Sequence, residues 1–182
     1  MVSVLGADNS VLAGFGGAIA WLLMCGFTWF LPVVEVPAAA AASTWRQRFG
    51  LDALTLLKDR GHRVVFLTCA LFNIPVSAFY PYAPPHLQEL GLHRTSAWMS
   101  LGQVTEIIAM LVLGSLLGRG RLKWVFAAGL SFGVLRFALS ALNTKAGLLA
   151  GVVLHGCSFA LVFITAQIYL EQRVDPAWRA RA

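Results

Sequence analysis

Five apolar runs organise the chain, at about residues 11–34, 64–84, 95–117, 124–142 and 147–170. Each is close to the roughly 20 residues that a helix needs to cross a bilayer. No charge lies between Asp8 and Glu35, and the fifth run carries no formal charge. No run alternates apolar and polar residues with a period of two, which excludes a β-barrel. Backbone groups in lipid must bond within their own segment, so the runs are predicted to be helices. The predicted fold class is all-α: a polytopic membrane protein with five transmembrane helices.

Polar residues interrupt this pattern at a few places. Glu106 stands about 11–12 residues from either end of the third run, or roughly 17 Å at about 1.5 Å per residue. An ionisable group so deep is costly and marks a candidate functional site. Gln103 precedes it by three residues and shares its helix face. Ser77 and Tyr80 lie on the second run, Arg136 on the fourth, and His155 and Gln167 on the fifth. Phe159 follows His155 by four residues, so the two rings share a face. Such a set could hold a flat polar ligand, with the aromatic ring stacking and the polar groups fixing orientation. A carboxyl that loads and unloads a proton at Glu106 is what a proton-coupled carrier needs. Two structural readings stand beside this one. Glu106 and Arg136 could form a buried ion pair, or Arg136 could reach outward to the interface.

Composition agrees with a membrane protein: 58% of residues are hydrophobic and 12% charged, where soluble domains carry about 25% charged. The net charge of +6 does not form a nucleic-acid-binding surface. The cations gather between the apolar runs, without the interleaved exposed aromatics of such a surface. Eleven of the fourteen Lys and Arg fall on one side: Arg46, Arg48, Lys58, Arg60, Arg63, Arg119, Arg121, Lys123, Arg173, Arg179 and Arg181. The opposite side has Arg94 and Lys145. The positive-inside rule makes the basic side cytoplasmic, the N-terminus periplasmic and the C-terminus cytoplasmic.

The connections add detail. The 34–63 loop holds Ala38–Ala42, then Ser43 and Thr44, which can cap a helix. Leu51, Leu54 and Leu57 follow on one face, which suggests a short helix on the cytosolic membrane surface or a solvated linker helix. Pro75 should kink the second helix, and Pro81, Pro84 and Pro85 should make its outer end irregular. Gly14-Phe15-Gly16-Gly17 does not follow a strand, so small-residue helix packing explains it better than a dinucleotide loop. Cys25, Cys69 and Cys157 are isolated in apolar runs and are read as small buried hydrophobes. No metal spacing and no nucleophile–base set is present, so neither a metal site, a cofactor nor an enzyme is expected. The start lacks a basic n-region, and the first run is longer than a signal h-region, so no cleaved signal peptide is expected.

Several stretches resemble one family. They are FGLDALTLLKDR, MSLGQVTEIIAMLVLGSLLGRGRLK, VLRFALSAL and HGCSFALVFITAQIYLEQRVDPAWRARA, in order and at matching spacing across most of residues 30–182. The chain resembles the nucleoside:proton symporters of the major facilitator superfamily. The resemblance implies a partial major-facilitator fold, about helices six to ten of twelve. Residues 1–35 would be the last helix of the N-terminal bundle, 36–62 the cytosolic inter-bundle loop, and 63–182 the first four helices of the C-terminal bundle. The chain would then be a fragment of an inner-membrane symporter, unable to enclose a substrate without its missing helices.

The resemblance also implies site residues. Gln103 and Glu106 match the family's helix-eight substrate-binding glutamine and glutamate, and Phe159 matches a binding aromatic of helix ten. His155 stands where that helix can offer a tyrosine. Ser77 and Tyr80 lie near helix-seven positions that can be glutamine and asparagine. Gly118 stands near a place where the superfamily often has an acid. The implied partners are a nucleoside or similar small polar substrate, protons, the lipid bilayer and the rest of the transporter, with no nucleic acid. Glu106, with Arg136, is expected to couple protons. The altered residues at 77, 80 and 155 keep open a superfamily carrier for a sugar or another polar metabolite. The initiating Met1 keeps open a complete five-span interaction protein.

Overall fold

A computed structural model describes residues 11–32, 45, 51–119 and 121–173. The described residues form five α-helices and no strand. They are α1 (Val11–Phe27), α2 (Arg60–Glu89), α3 (Thr95–Arg119), α4 (Leu122–Ala141) and α5 (Lys145–Arg173). The four from α2 to α5 are long and apolar enough to span a membrane. The first 10 residues, the Ala38–Ala42 run, the Ser43-Thr44 cap and the end of the chain lie outside the described residues.

The first run behaves differently from its expected 24-residue span. Its α-helix stops at Phe27 and tightens into a 3-10 turn at Thr28–Phe30. Leu31 is already extended, at ψ 138°. Pro32 is the reason, since proline disfavours helical torsions in the residue before it. At 17 residues, α1 is at the lower end of spanning length. Its described residues are all exposed, Cys25 included, and the other two cysteines are only half-buried. The expectation of three buried cysteines is therefore corrected.

The leucine face of the loop folds as a 3-10 helix, Leu51–Lys58, beside α2. Three residues per turn place Leu51, Leu54 and Leu57 in one line. Leu56 and Leu57 are half-buried, while Leu51 and Leu54 stay exposed. Asp59 then caps α2 by accepting from the His62 backbone N–H at 2.9 Å. That bond holds its carboxyl below the usual carboxylate range.

The C-terminal end of α2, expected to be irregular, is not. The helix runs through Pro75, Pro81, Pro84 and Pro85 to Glu89. A proline ring fixes φ near −65°, itself a helical value, so the torsions survive the lost hydrogen bonds. The helix ends where Gly91 takes φ +81°. Gly91 N–H then reaches the Gln88 carbonyl at 2.8 Å and Leu92 N–H the Leu87 carbonyl at 2.9 Å. This closing pattern answers two of the orphan carbonyls.

The bundle is built around α5. More than half of its most apolar window is buried (56%), against 17% for α2 and α3 and 22% for α4. Small residues bring its neighbours close. A Cβ at Gly129 would strike Leu161 and Val162, and one at Gly151 would strike Ser140 and the Arg136 carbonyl. Gly156 lies against the Glu106 and Gly102 backbone, and Thr105 Oγ1 donates across to the Val153 carbonyl at 2.7 Å. Lipid gives apolar helices no hydrophobic reason to associate, so close packing and such bonds hold them together. The outward faces carry Leu67, Leu71, Ile107, Leu111 and Val134, all exposed.

Candidate functional site

Two cavities open between the helices. The larger, about 600 Å³, lies at the basic end and is lined by groups that include Arg60, Lys123 and Arg173. The smaller, about 400 Å³, is where the polar residues of the spans converge. The smaller cavity is taken as the candidate because it gathers polar groups from within the spans, Tyr80, Gln103 and His155 among them.

Its walls come from three helices. α2 gives Phe79, Tyr80 and Pro84; α3 gives Thr95, Ser96, Met99, Ser100 and Gln103; α5 gives Val152 and His155. Tyr80 Oη lies 2.5 Å from His155 Nε2. On its other side the imidazole is hydrogen-bonded through Nδ1 to Arg136 Nη1. His155 also stacks on Phe79, with centroids 6.2 Å apart and planes at 16°. Phe159 lies tilted beside it at 5.7 Å.

Arg136 neither pairs with Glu106 nor reaches outward. It is fully buried, and no ion pair joins it to a carboxylate among the described residues. Its guanidinium lies over Phe79 at 4.2 Å and Phe137 at 4.7 Å. Each such contact is worth about 0.5–2 kcal/mol, most when water is excluded. Nε and Nη2 have no hydrogen-bond partner among the described residues, so the two rings and His155 carry the task of holding a buried cation.

The sequence-predicted residues separate into two groups. Tyr80, Gln103 and His155 line the cavity together. Glu106 sits one turn beyond Gln103, half-buried, with no hydrogen bond or ion pair to another described residue. Phe159 supports His155 from behind the wall. Ser77 and Gln167 are exposed and do not reach the cavity. Phe79, Ser96 and Ser100 were not anticipated. Ser96, Ser100 and Gln103 stand at i, i+4 and i+7, the spacing of one helix face, and that signal was legible. Phe79 gave no polar signal, because its role is to stack.

The chain matches the family model described as nucleoside H+ symporter over residues 1–182. It belongs to the nucleoside H+ symporter family. Among relatives from Escherichia coli (strain K12), it is 33% identical over 162 residues to YegT, which is named as a candidate nucleoside transporter. That match covers 86% of this chain and 38% of YegT. It is 26% identical to the nucleoside permease NupG, over 100% of this chain and 47% of the permease. Its structure resembles a crystal structure of a mutant of the nucleoside transporter NupG, with a TM-score of 0.79 and 27% identity. That alignment covers 99% of this chain and 48% of the other. The chain therefore spans less than half the length of the relatives it matches. The all-helical, multi-pass membrane fold of this symporter family is thus the fold of this chain.

Proposed function

We propose that the chain carries part of the substrate site of a proton-coupled nucleoside transporter working at the length of its relatives. In this reading α1 closes one bundle, residues 36–62 link the bundles, and 63–182 form the opening helices of the second. The basic ends of α2, α4 and α5 face the cytoplasm of the inner membrane. The supporting observation is Glu106: a half-buried carboxylate at mid-helix, without a described partner, one turn from the cavity-lining Gln103. An ionisable group within a span without a partner is costly, and a substrate or a proton lowers that cost. Gln103 would hydrogen-bond the substrate, His155 would offer aromatic surface to its base with Phe159 supporting that ring, and Glu106 would both contact the substrate and carry the proton. Arg136 would contribute through His155 rather than through an ion pair with Glu106. Ser77 would act only through helices outside this chain.

A binding assay on the open reading frame that carries this chain tests the substrate class. Labelled uridine should be displaced by unlabelled uridine and adenosine, and not by sugars at the same concentration. Displacement by a sugar, with nucleosides silent, would replace this reading by that of a sugar carrier in the same superfamily.

A further inference from the structure

Arg136 is absent from the cavity wall, yet it decides what the wall offers. Its Nη1 meets His155 Nδ1 inside the bundle. A guanidinium can only donate, so Nδ1 must accept. An imidazole with one accepting nitrogen carries its proton on the other. Nε2–H therefore donates to Tyr80 Oη across 2.5 Å. The ring orientation is consistent with this, since both nitrogens meet polar atoms. A flipped ring would set carbon atoms against Arg136 and Tyr80.

The consequence falls on Tyr80. Its oxygen accepts from His155, so its own hydrogen must point elsewhere. No second hydrogen-bond partner for that hydroxyl exists among the described residues. Tyr80 is 44% exposed and lines the cavity beside Gln103 and Ser100. Ser100 Oγ already donates to the Ala97 carbonyl at 2.7 Å, so toward the cavity it offers a lone pair. The wall thus presents one committed donor, Tyr80, and one committed acceptor, Ser100.

We propose that Arg136 is a positioning residue: by fixing the tautomer of His155 it commits Tyr80 to donate its hydroxyl hydrogen to an acceptor atom of the substrate. The acceptor would be a carbonyl oxygen or an unprotonated ring nitrogen. This rests on the reading of the cavity as the substrate site. Without Arg136, His155 can place its proton on Nδ1. Nε2 then accepts from Tyr80, the hydroxyl hydrogen turns inward, and the substrate's acceptor atom faces an oxygen lone pair. One hydrogen bond to the substrate is lost, with no ring displaced.

The test has two arms on the full reading frame. In the first, ¹⁵N spectra of the histidine side chains are recorded, with His155 assigned by its loss in His155→Asn. The native protein should show a bare Nδ1 and a protonated Nε2. Arg136→Met should mix or reverse them, and Arg136→Lys, which keeps a donor, should preserve more of the native pattern. This arm reads the network whether or not nucleosides are the substrate. In the second, Tyr80→Phe and Arg136→Met should each raise the KM for uptake about tenfold, the scale of one lost hydrogen bond. Vmax should change little. The double variant should lose no more than either single one, because both remove the same bond. A native spectrum with the proton on Nδ1, an unchanged His155 in Arg136→Met, or additive losses would overturn the proposal. If Arg136→Met does not fold, the native spectrum and Tyr80→Phe still decide: full affinity in Tyr80→Phe refutes it.

Discussion

Glu106→Gln is expected to abolish proton-driven nucleoside accumulation while leaving the protein folded. Of eight acidic residues, Glu106 alone sits deep within a predicted span. It makes no ion pair or hydrogen bond with a described residue, so an amide of the same shape removes no structural contact. What it removes is the ability to gain and lose a proton, which a coupled carrier requires at such a site. Uptake should fall to the level of cells without the transporter, and the stimulation of uptake by external acid should vanish with it. The amount of protein in the membrane should match wild type by immunoblot. Undiminished uptake with the same dependence on pH would remove Glu106 from the mechanism.

Gly156→Leu is expected to prevent assembly of the bundle. A Cβ at this position would lie against the backbone nitrogen of Glu106, the Gly102 carbonyl and Thr105 Oγ1. Backbone cannot swing aside as a flexible side chain can. Overpacking a core usually costs about 1–3 kcal/mol, and a leucine wedged against two main-chain atoms exceeds the relief that side-chain adjustment allows. α3 and α5 would separate, and the Thr105–Val153 bond that joins them would break with them. The same substitution also pushes on Glu106 itself, so any protein that folds should bind substrate poorly. Gly114, on the same helix as Glu106, has no described residue within 4 Å of where its Cβ would stand. Gly114→Ala should therefore be tolerated, and even stabilise α3 by about 0.5–1 kcal/mol. Yield of monodisperse protein and thermal midpoint compare the two variants. Equal behaviour would show that the α3–α5 contact does not limit folding.

Span-scale features were legible in the sequence because lipid imposes them. The lengths of the last three apolar runs, and the depth of Glu106, follow from hydrophobicity alone. The early end of α1 was legible in principle through Pro32, but a hydropathy reading passes over a single proline in an apolar run. Pro81, Pro84 and Pro85 misled in the other direction: each removes a hydrogen-bond donor, and none takes the backbone out of helical torsions. The site was half legible. Polar residues in spans announced themselves, so Tyr80, Gln103 and His155, which line one cavity, could be picked out as candidates. Their partnerships were not, because contacts between helices depend on rotation and depth that no local pattern fixes. Arg136 shows this most clearly. Charge alone suggested Glu106 as its partner, whereas Phe79, Phe137 and His155 surround it.

Proton movement during substrate entry tests the central claim most directly. The reading frame carrying this chain is expressed in cells that lack nucleoside uptake, and the cells are de-energised in lightly buffered medium. Adding uridine or adenosine should make the medium more alkaline as protons enter with the substrate, while a sugar should not. The Glu106→Gln cells should show no signal. Nucleoside entry without alkalinisation would contradict proton coupling, and alkalinisation by a sugar with nucleosides silent would contradict the substrate class.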